Sequence, residues 1–106
     1  MSNKHYNFKG KLHCNDGPAV EGDDGSFAWY KEGSLHRSDG PAVQYNDGST
    51  VWYRKGLIHR LDGPAVEWSD GYRAWYKEGV PHRLTGPAIE HVDGEVEYWI
   101  EGERIK

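Results

Sequence analysis

The sequence predicts an all-β fold: an elongated, single-domain array of antiparallel β-hairpins. Three observations carry this. Segments beginning at Gly10, Gly33, Gly56 and Gly79 repeat with a strict 23-residue spacing, without insertion or deletion. A fixed period in this range signals a repeat architecture. Thirteen of the fourteen glycines fall at three fixed positions of the repeat, and only Gly22 stands outside. The apolar runs between those glycines are too short for helices.

In chain order, residues 1–9 read as a partial repeat. HYNFKG at 5–10 echoes AWYKEG at 28–33. This segment is expected to supply one strand that closes the first repeat, because an exposed terminal strand invites edge-to-edge pairing. Residues 10–102 hold the four full repeats. Each is expected to contain two antiparallel strands, such as PAVQY (41–45) and STVWYR (49–54), flanking an Asp-Gly turn at Asp47-Gly48. Asp-Gly between short β-like runs predicts a type I′ hairpin. Alternation puts Val43 and Tyr45 on one face and Ala42 and Gln44 on the other. A third short segment, Leu35-His36-Arg37 and its copies, leads to an Asp-Gly-Pro-Ala corner. Glycine at a fixed place predicts positive φ at all three sets, including Gly17, Gly40, Gly63 and Gly86. The fourth repeat drifts: Thr85 replaces the corner aspartate and Tyr98-Trp99 replaces Trp-Tyr. Residues 103–106 begin a fifth repeat. This drift marks a C-terminal cap, or the surface on which another chain, such as a second copy, would dock. The structural alternative is a β-helix with one rung per repeat.

Composition narrows the function. The 106 residues suffice for one domain and not two. The net charge of −4 argues against a general nucleic-acid binder. A single cysteine, Cys14, excludes an internal disulfide framework and fits a reducing compartment. No apolar run approaches the roughly 20 residues that span a bilayer, and MSNKHYNFKG does not resemble a signal peptide. The expectation is a soluble, cytoplasmic protein.

Four sets of residues carry candidate chemistry. The first is a histidine ladder: His13, His36, His59 and His82. In a hairpin array, equivalent residues lie about 9–10 Å apart, whereas zinc takes ligands at about 2.0–2.3 Å. Equivalent histidines therefore cannot share one ion, and no metal or other cofactor is expected. Each imidazole is expected to bond a turn carbonyl. The second set is an arginine ladder, Arg37, Arg60 and Arg83, able to grip phosphate or carboxylate or to pair with Asp39 and Asp62. Arg83 lacks the equivalent acid and is expected to be the freest. The third is an aromatic stripe of Trp29, Trp52, Trp75 and Tyr98, with Tyr45 and Trp68 on a neighbouring strand. The fourth is an acidic strip including Glu67, Glu90 and Glu97, which could imitate nucleic-acid phosphates or simply solubilise a sheet face. There is no Ser-His-Asp spacing, phosphate loop, HExxH or CxxC, so an enzyme is not expected. Repeats two and three carry the fullest set. The partner-binding surface is expected at Trp52, Trp68, Trp75, Arg37, Arg60, Arg83 and Tyr45.

The repeat resembles the MORN repeat. Tyr30, Tyr53, Tyr76 and Trp99 match its tryptophan, Gly33, Gly56 and Gly79 its Asn-Gly turn, and His36, His59 and His82 its histidine. The likeness covers about residues 10–106. The chain lacks the Tyr-X-Gly that precedes the MORN tryptophan and carries Arg or Cys where MORN has glycine after the histidine. The resemblance implies a twisted β-meander that acts as a binding scaffold. Similar short repeat proteins occur in phages and large viruses. The expectation is then a non-enzymatic protein-interaction module: a phage-encoded inhibitor that blocks a host defence protein of the CRISPR type, a nucleic-acid-processing effector. The alternative is a nucleotide or phosphate binder using the arginine ladder and aromatic stripe.

Overall fold

The computed structural model describes residues 3–14 and 17–106. The fold is all-β, antiparallel throughout and elongated, measuring 46 × 25 × 17 Å. The one-rung β-helix is thereby excluded, since its rungs would pair in parallel.

Each repeat makes four two-residue strands where the sequence suggested two. After β1 (Asn3–Lys4), the first full set is β2 (Val20–Glu21), β3 (Phe27–Ala28), β4 (Tyr30–Lys31) and β5 (Ser34–Leu35). The second is β6 (Val43–Gln44), β7 (Thr50–Val51), β8 (Tyr53–Arg54) and β9 (Leu57–Ile58). Then come β10 (Val66–Glu67), β11 (Arg73–Ala74), β12 (Tyr76–Lys77) and β13 (Val80–Pro81). The last set is β14 (Ile89–Glu90), β15 (Val96–Glu97), β16 (Trp99–Ile100) and β17 (Glu103–Arg104). The first two strands of every set join one nine-stranded meander, ordered β1-β2-β3-β6-β7-β10-β11-β14-β15. The last two form separate hairpins, β4–β5, β8–β9, β12–β13 and β16–β17.

Those hairpins are themselves tied into a row. Gly56 N–H donates to Leu35 O at 2.8 Å, and Arg37 N–H donates to Tyr53 O at 3.2 Å. The same pair of bonds recurs one repeat on, from Gly79 to Ile58 and from Arg60 to Tyr76. A thin core fills the space between meander and hairpin row. Val51, Val66, Ala74 and Ile89 are buried there, and Tyr53, Ile58, Tyr76 and Trp99 pack against them from the hairpins. The alternation expected from sequence placed Ala42 and Gln44 on the face opposite Val43 and Tyr45. Ala19, Ala42, Ala65 and Ala88 are all 0% exposed.

The turns divide differently from expectation. The type I′ turns are Glu32-Gly33, Lys55-Gly56, Glu78-Gly79 and Glu101-Gly102, where both residues have positive φ, for example 51° and 81° at Lys55-Gly56. The Asp-Gly turns are three-residue loops: Gly48 N–H donates to Tyr45 O at 3.1 Å and Tyr45 N–H to Ser49 O at 2.9 Å. Only Gly48 has positive φ there (91°), which is a type I turn closed by a glycine bulge. Asp47 instead serves through its side chain, accepting Ser49 N–H at 2.8 Å. That bond holds its carboxyl below the usual carboxylate range. The corner glycines Gly17, Gly40, Gly63 and Gly86 do not have positive φ. At Gly40, Gly63 and Gly86 the reason is space: a Cβ on Gly63 would sit 2.9 Å from the Arg60 guanidinium carbon, whereas one on Gly17 would meet nothing within 4 Å.

The N-terminal segment does close the first repeat. Asn3–Lys4 pairs with Val20–Glu21, and Tyr6 bridges Leu12. Asn7 Oδ1 caps the intervening turn by accepting the Lys9 and Lys11 N–H groups.

Candidate functional site: a row of clefts along the corner loops

The tryptophans Trp29, Trp52 and Trp75 sit where the chain leaves the meander for the hairpin row. The arginine that follows each hairpin returns over the ring. Arg37 stacks on Trp29 at 3.9 Å, Arg60 on Trp52 at 3.9 Å and Arg83 on Trp75 at 3.8 Å. Each guanidinium also donates to the carbonyl of the corner proline, Pro41, Pro64 or Pro87, at 3.1–3.2 Å. Arg37 and Arg60 donate further to Asp39 and Asp62 at 3.1 and 2.9 Å. This corner is what excludes a Cβ at the following glycine. Arg83 is the least tightly held arginine of the ladder, as expected, with its side chain 26% exposed against 23% for Arg37 and 21% for Arg60. It lacks the corner aspartate, and its nearest carboxylate is Glu90 at 3.5 Å, the counterpart of the Arg60–Glu67 contact at 3.8 Å.

The histidines follow another rule than expected. Their Nδ1 accepts the N–H of the first turn residue one repeat on: His13 from Glu32, His36 from Lys55, His59 from Glu78 and His82 from Glu101, at 2.9–3.1 Å. The positive φ at those residues turns the N–H toward the imidazole. Each histidine therefore latches one repeat to the next, and each must be unprotonated at Nδ1 to do so.

His36 is held neutral. Burial first, then the nearby Lys31, Arg54 and Lys55 charges, push its pKa below the ordinary 6.5. The unfolded chain then takes up the proton before the folded chain does. The stability contributed by this latch is complete above the unfolded pKa and is lost as pH falls through the folded one. We expect the melting temperature to fall between about pH 7.5 and about pH 5.5, and to fall less in His36→Asn, whose amide oxygen accepts without titrating. Thermal melts across that range check it. A pH dependence identical in wild type and His36→Asn would contradict the latch.

Between successive corner loops lie three clefts of about 550, 630 and 610 Å³. Each contains one stacked tryptophan, one or two ladder histidines, and one cation from the strand after the tryptophan: Lys31, Arg54 or Lys77. Those three cations make no ion pair among the described residues. Leu61 and Leu84, 77% and 74% exposed, stand on the corner loops at the cleft mouths.

The sequence-expected binding set is thus split. Trp52, Trp75, Arg37, Arg60 and Arg83 meet along the clefts. Tyr45 and Trp68 pair with each other, rings 6.0 Å apart, at the Asp-Gly turns, the opposite end of the meander hairpins. Sequence reasoning missed Leu61 and Leu84, although an exposed-looking leucine after Arg60 and Arg83 was visible. It also missed the unpaired cations and one polar cluster outside the repeat pattern. Glu97 occupies the core-facing place held by Val51 and Ala74 in earlier repeats. His91 meets its carboxylate at 2.6 Å and Trp99 Nε1 donates to it at 2.9 Å, with Arg104 at 3.7 Å. The bonds from His91 and Trp99 hold the Glu97 carboxyl below its usual range. This cluster satisfies a charge at the end strand of the meander.

No family model, curated protein or solved structure matches the chain.

Proposed function

We propose that this chain is a non-enzymatic protein-interaction module whose docking face is the row of corner-loop clefts. One observation supports this most. The stacked tryptophans and the unpaired cations recur along one edge in three equivalent clefts, and the exposed Leu61 and Leu84 stand at two of them. Repetition of equivalent clefts suits a long partner that crosses several of them better than a small substrate that needs one unique site. Trp and Arg are residue types enriched at binding hot spots, and exposed leucines beside them extend the apolar contact area. The arginine ladder does not favour the phosphate-binding alternative, since each guanidinium fork is already used on a proline carbonyl, an aromatic face and, in two cases, an aspartate. That the partner is a host defence effector, blocked by a phage protein, rests on the resemblance to short viral repeat proteins.

Affinity capture from the native host, read by mass spectrometry, tests this reading. Wild type should retain a specific protein. The variant Leu61→Asp/Leu84→Asp should lose it by at least about tenfold, since interface hot spots contribute about 2 kcal/mol or more. Capture that survives Leu61→Asp/Leu84→Asp but disappears in Trp68→Ala would move the docking face to the Asp-Gly turns.

A further inference from the structure

The chemistry of the clefts limits what can occupy them. The chain as a whole carries −4, yet the middle cleft is lined by four cationic side chains, Arg37, Arg54, Lys55 and Arg60, against two carboxylates, Asp39 and Asp62. Both carboxylates are already bonded to the ladder arginines. The uncompensated charge is therefore Arg54 and Lys55, and Lys77 holds the same place as Arg54 in the next cleft. His36 lies beside these cations, and its neutral form is favoured first by burial and then by Lys31, Arg54 and Lys55. An anionic occupant is the complement.

Spacing limits the occupant further. Successive clefts are separated by two strands of one meander, hence by about 9.4–9.8 Å. A polyproline II helix turns once in three residues with a rise of about 3.1 Å each, so the same face returns every ~9.3 Å. A β-strand cannot match this pitch, because residues three apart point to opposite faces. Single-stranded nucleic acid binds by stacking bases on open aromatic faces. Here one face of Trp29, Trp52 and Trp75 is covered by an arginine at 3.8–3.9 Å. Polyproline II segments instead dock between the walls of aromatic-lined grooves, with little ordering cost.

We propose that the clefts take an acidic polyproline II segment of a protein partner, one carboxylate side chain entering each successive cleft. This rests on the reading of the cleft row as a docking face. The carboxylates meet Lys31, Arg54 and Lys77 in turn. The intervening residues lie against Leu61 and Leu84 at the mouths.

The test uses the intact protein and synthetic peptides, followed by tryptophan fluorescence and by salt dependence. A peptide of four Glu-Pro-Pro triplets is the probe. A peptide of four glutamates followed by eight prolines has the same composition and charge without the period. Four Lys-Pro-Pro triplets reverse the charge, and an oligothymidylate of equal length represents nucleic acid. The Glu-Pro-Pro peptide should bind at least about tenfold tighter than each of the other three, and Arg54→Glu or Lys77→Glu should weaken it about tenfold with unchanged circular dichroism. Equal binding of the two acidic peptides overturns the spacing argument and the proposal with it. Tighter binding of oligothymidylate makes the row a nucleic-acid interface instead. Host-protein capture that depends on Leu61 and Leu84, yet is not displaced by the Glu-Pro-Pro peptide, overturns this occupant and leaves the docking face standing. No such capture at all counts against the docking face itself.

Discussion

Gly56→Val should destabilise the protein by about 2–3 kcal/mol, from a left-handed backbone cost of about 1–2 kcal/mol that β-branching makes worse. Gly56 has φ 81° in a type I′ turn. The added Cβ meets nothing closer than Ser34 Cβ at 3.7 Å, so the cost lies in the backbone and not in a clash. Relieving that strain would also pull the Gly56 N–H away from Leu35 O, a bond between repeats. The instructive comparison is Gly63→Ala. Sequence reasoning gave both glycines the same positive-φ role, but Gly63 has an ordinary backbone and is pressed by Arg60. Its alanine variant should displace the guanidinium and lose a cation–π contact of roughly 0.5–2 kcal/mol. In an Arg60→Ala background, Gly63→Ala should then cost almost nothing, while Gly56→Val should cost as much as before. Urea melts of the single and paired variants read this directly. A Gly63→Ala cost that persists without Arg60 would show that the corner glycine has a backbone role after all.

Ala65→Leu should be as damaging, at about 2–3 kcal/mol, because overpacking a filled site typically costs 1–3 kcal/mol. Ala65 is 0% exposed. Its own backbone is fixed at both ends: the carbonyl accepts Trp52 N–H at 2.7 Å and the N–H donates to Ala74 O at 2.8 Å. The chain cannot move outward to admit three more carbons without breaking the meander. Leu61→Asp, four residues earlier on an exposed loop tip, should change stability by no more than about 0.5 kcal/mol. Chemical denaturation separates the two. A tolerated Ala65→Leu would mean that the site around Ala65 is not filled.

Much of the architecture was legible because it is written in glycines and repeats. The antiparallel pairing, the elongated shape and the closing N-terminal strand all follow from the 23-residue period and the short apolar runs. What was not legible is how one period is divided. Glu32-Gly33 and Lys55-Gly56 look less turn-like than Asp24-Gly25 and Asp47-Gly48, because Asp tolerates positive φ better than Glu or Lys. Yet Glu32 and Lys55 have φ of 48° and 51°. The histidine latch one repeat before each rewards that conformation, and a bond between residues 19 apart leaves no trace in local propensity. The same holds for the clefts. Trp52 and Arg60 were both singled out from sequence, but as separate ladders. Their stacking depends on a hairpin that brings residues eight apart face to face. Tyr45 and Trp68 share a composition with the cleft residues and not a place, so composition alone merged two surfaces into one.

The most direct test of the docking face is hydrogen exchange on the captured complex, compared with the free protein. Amides at 36–40, 59–63 and 82–86, which line the row of clefts, should slow on binding, while those of the Asp-Gly turns at 45–49 and 68–72 stay unchanged. Protection confined to 45–49 and 68–72, with the corner loops exchanging as in the free chain, would contradict the account.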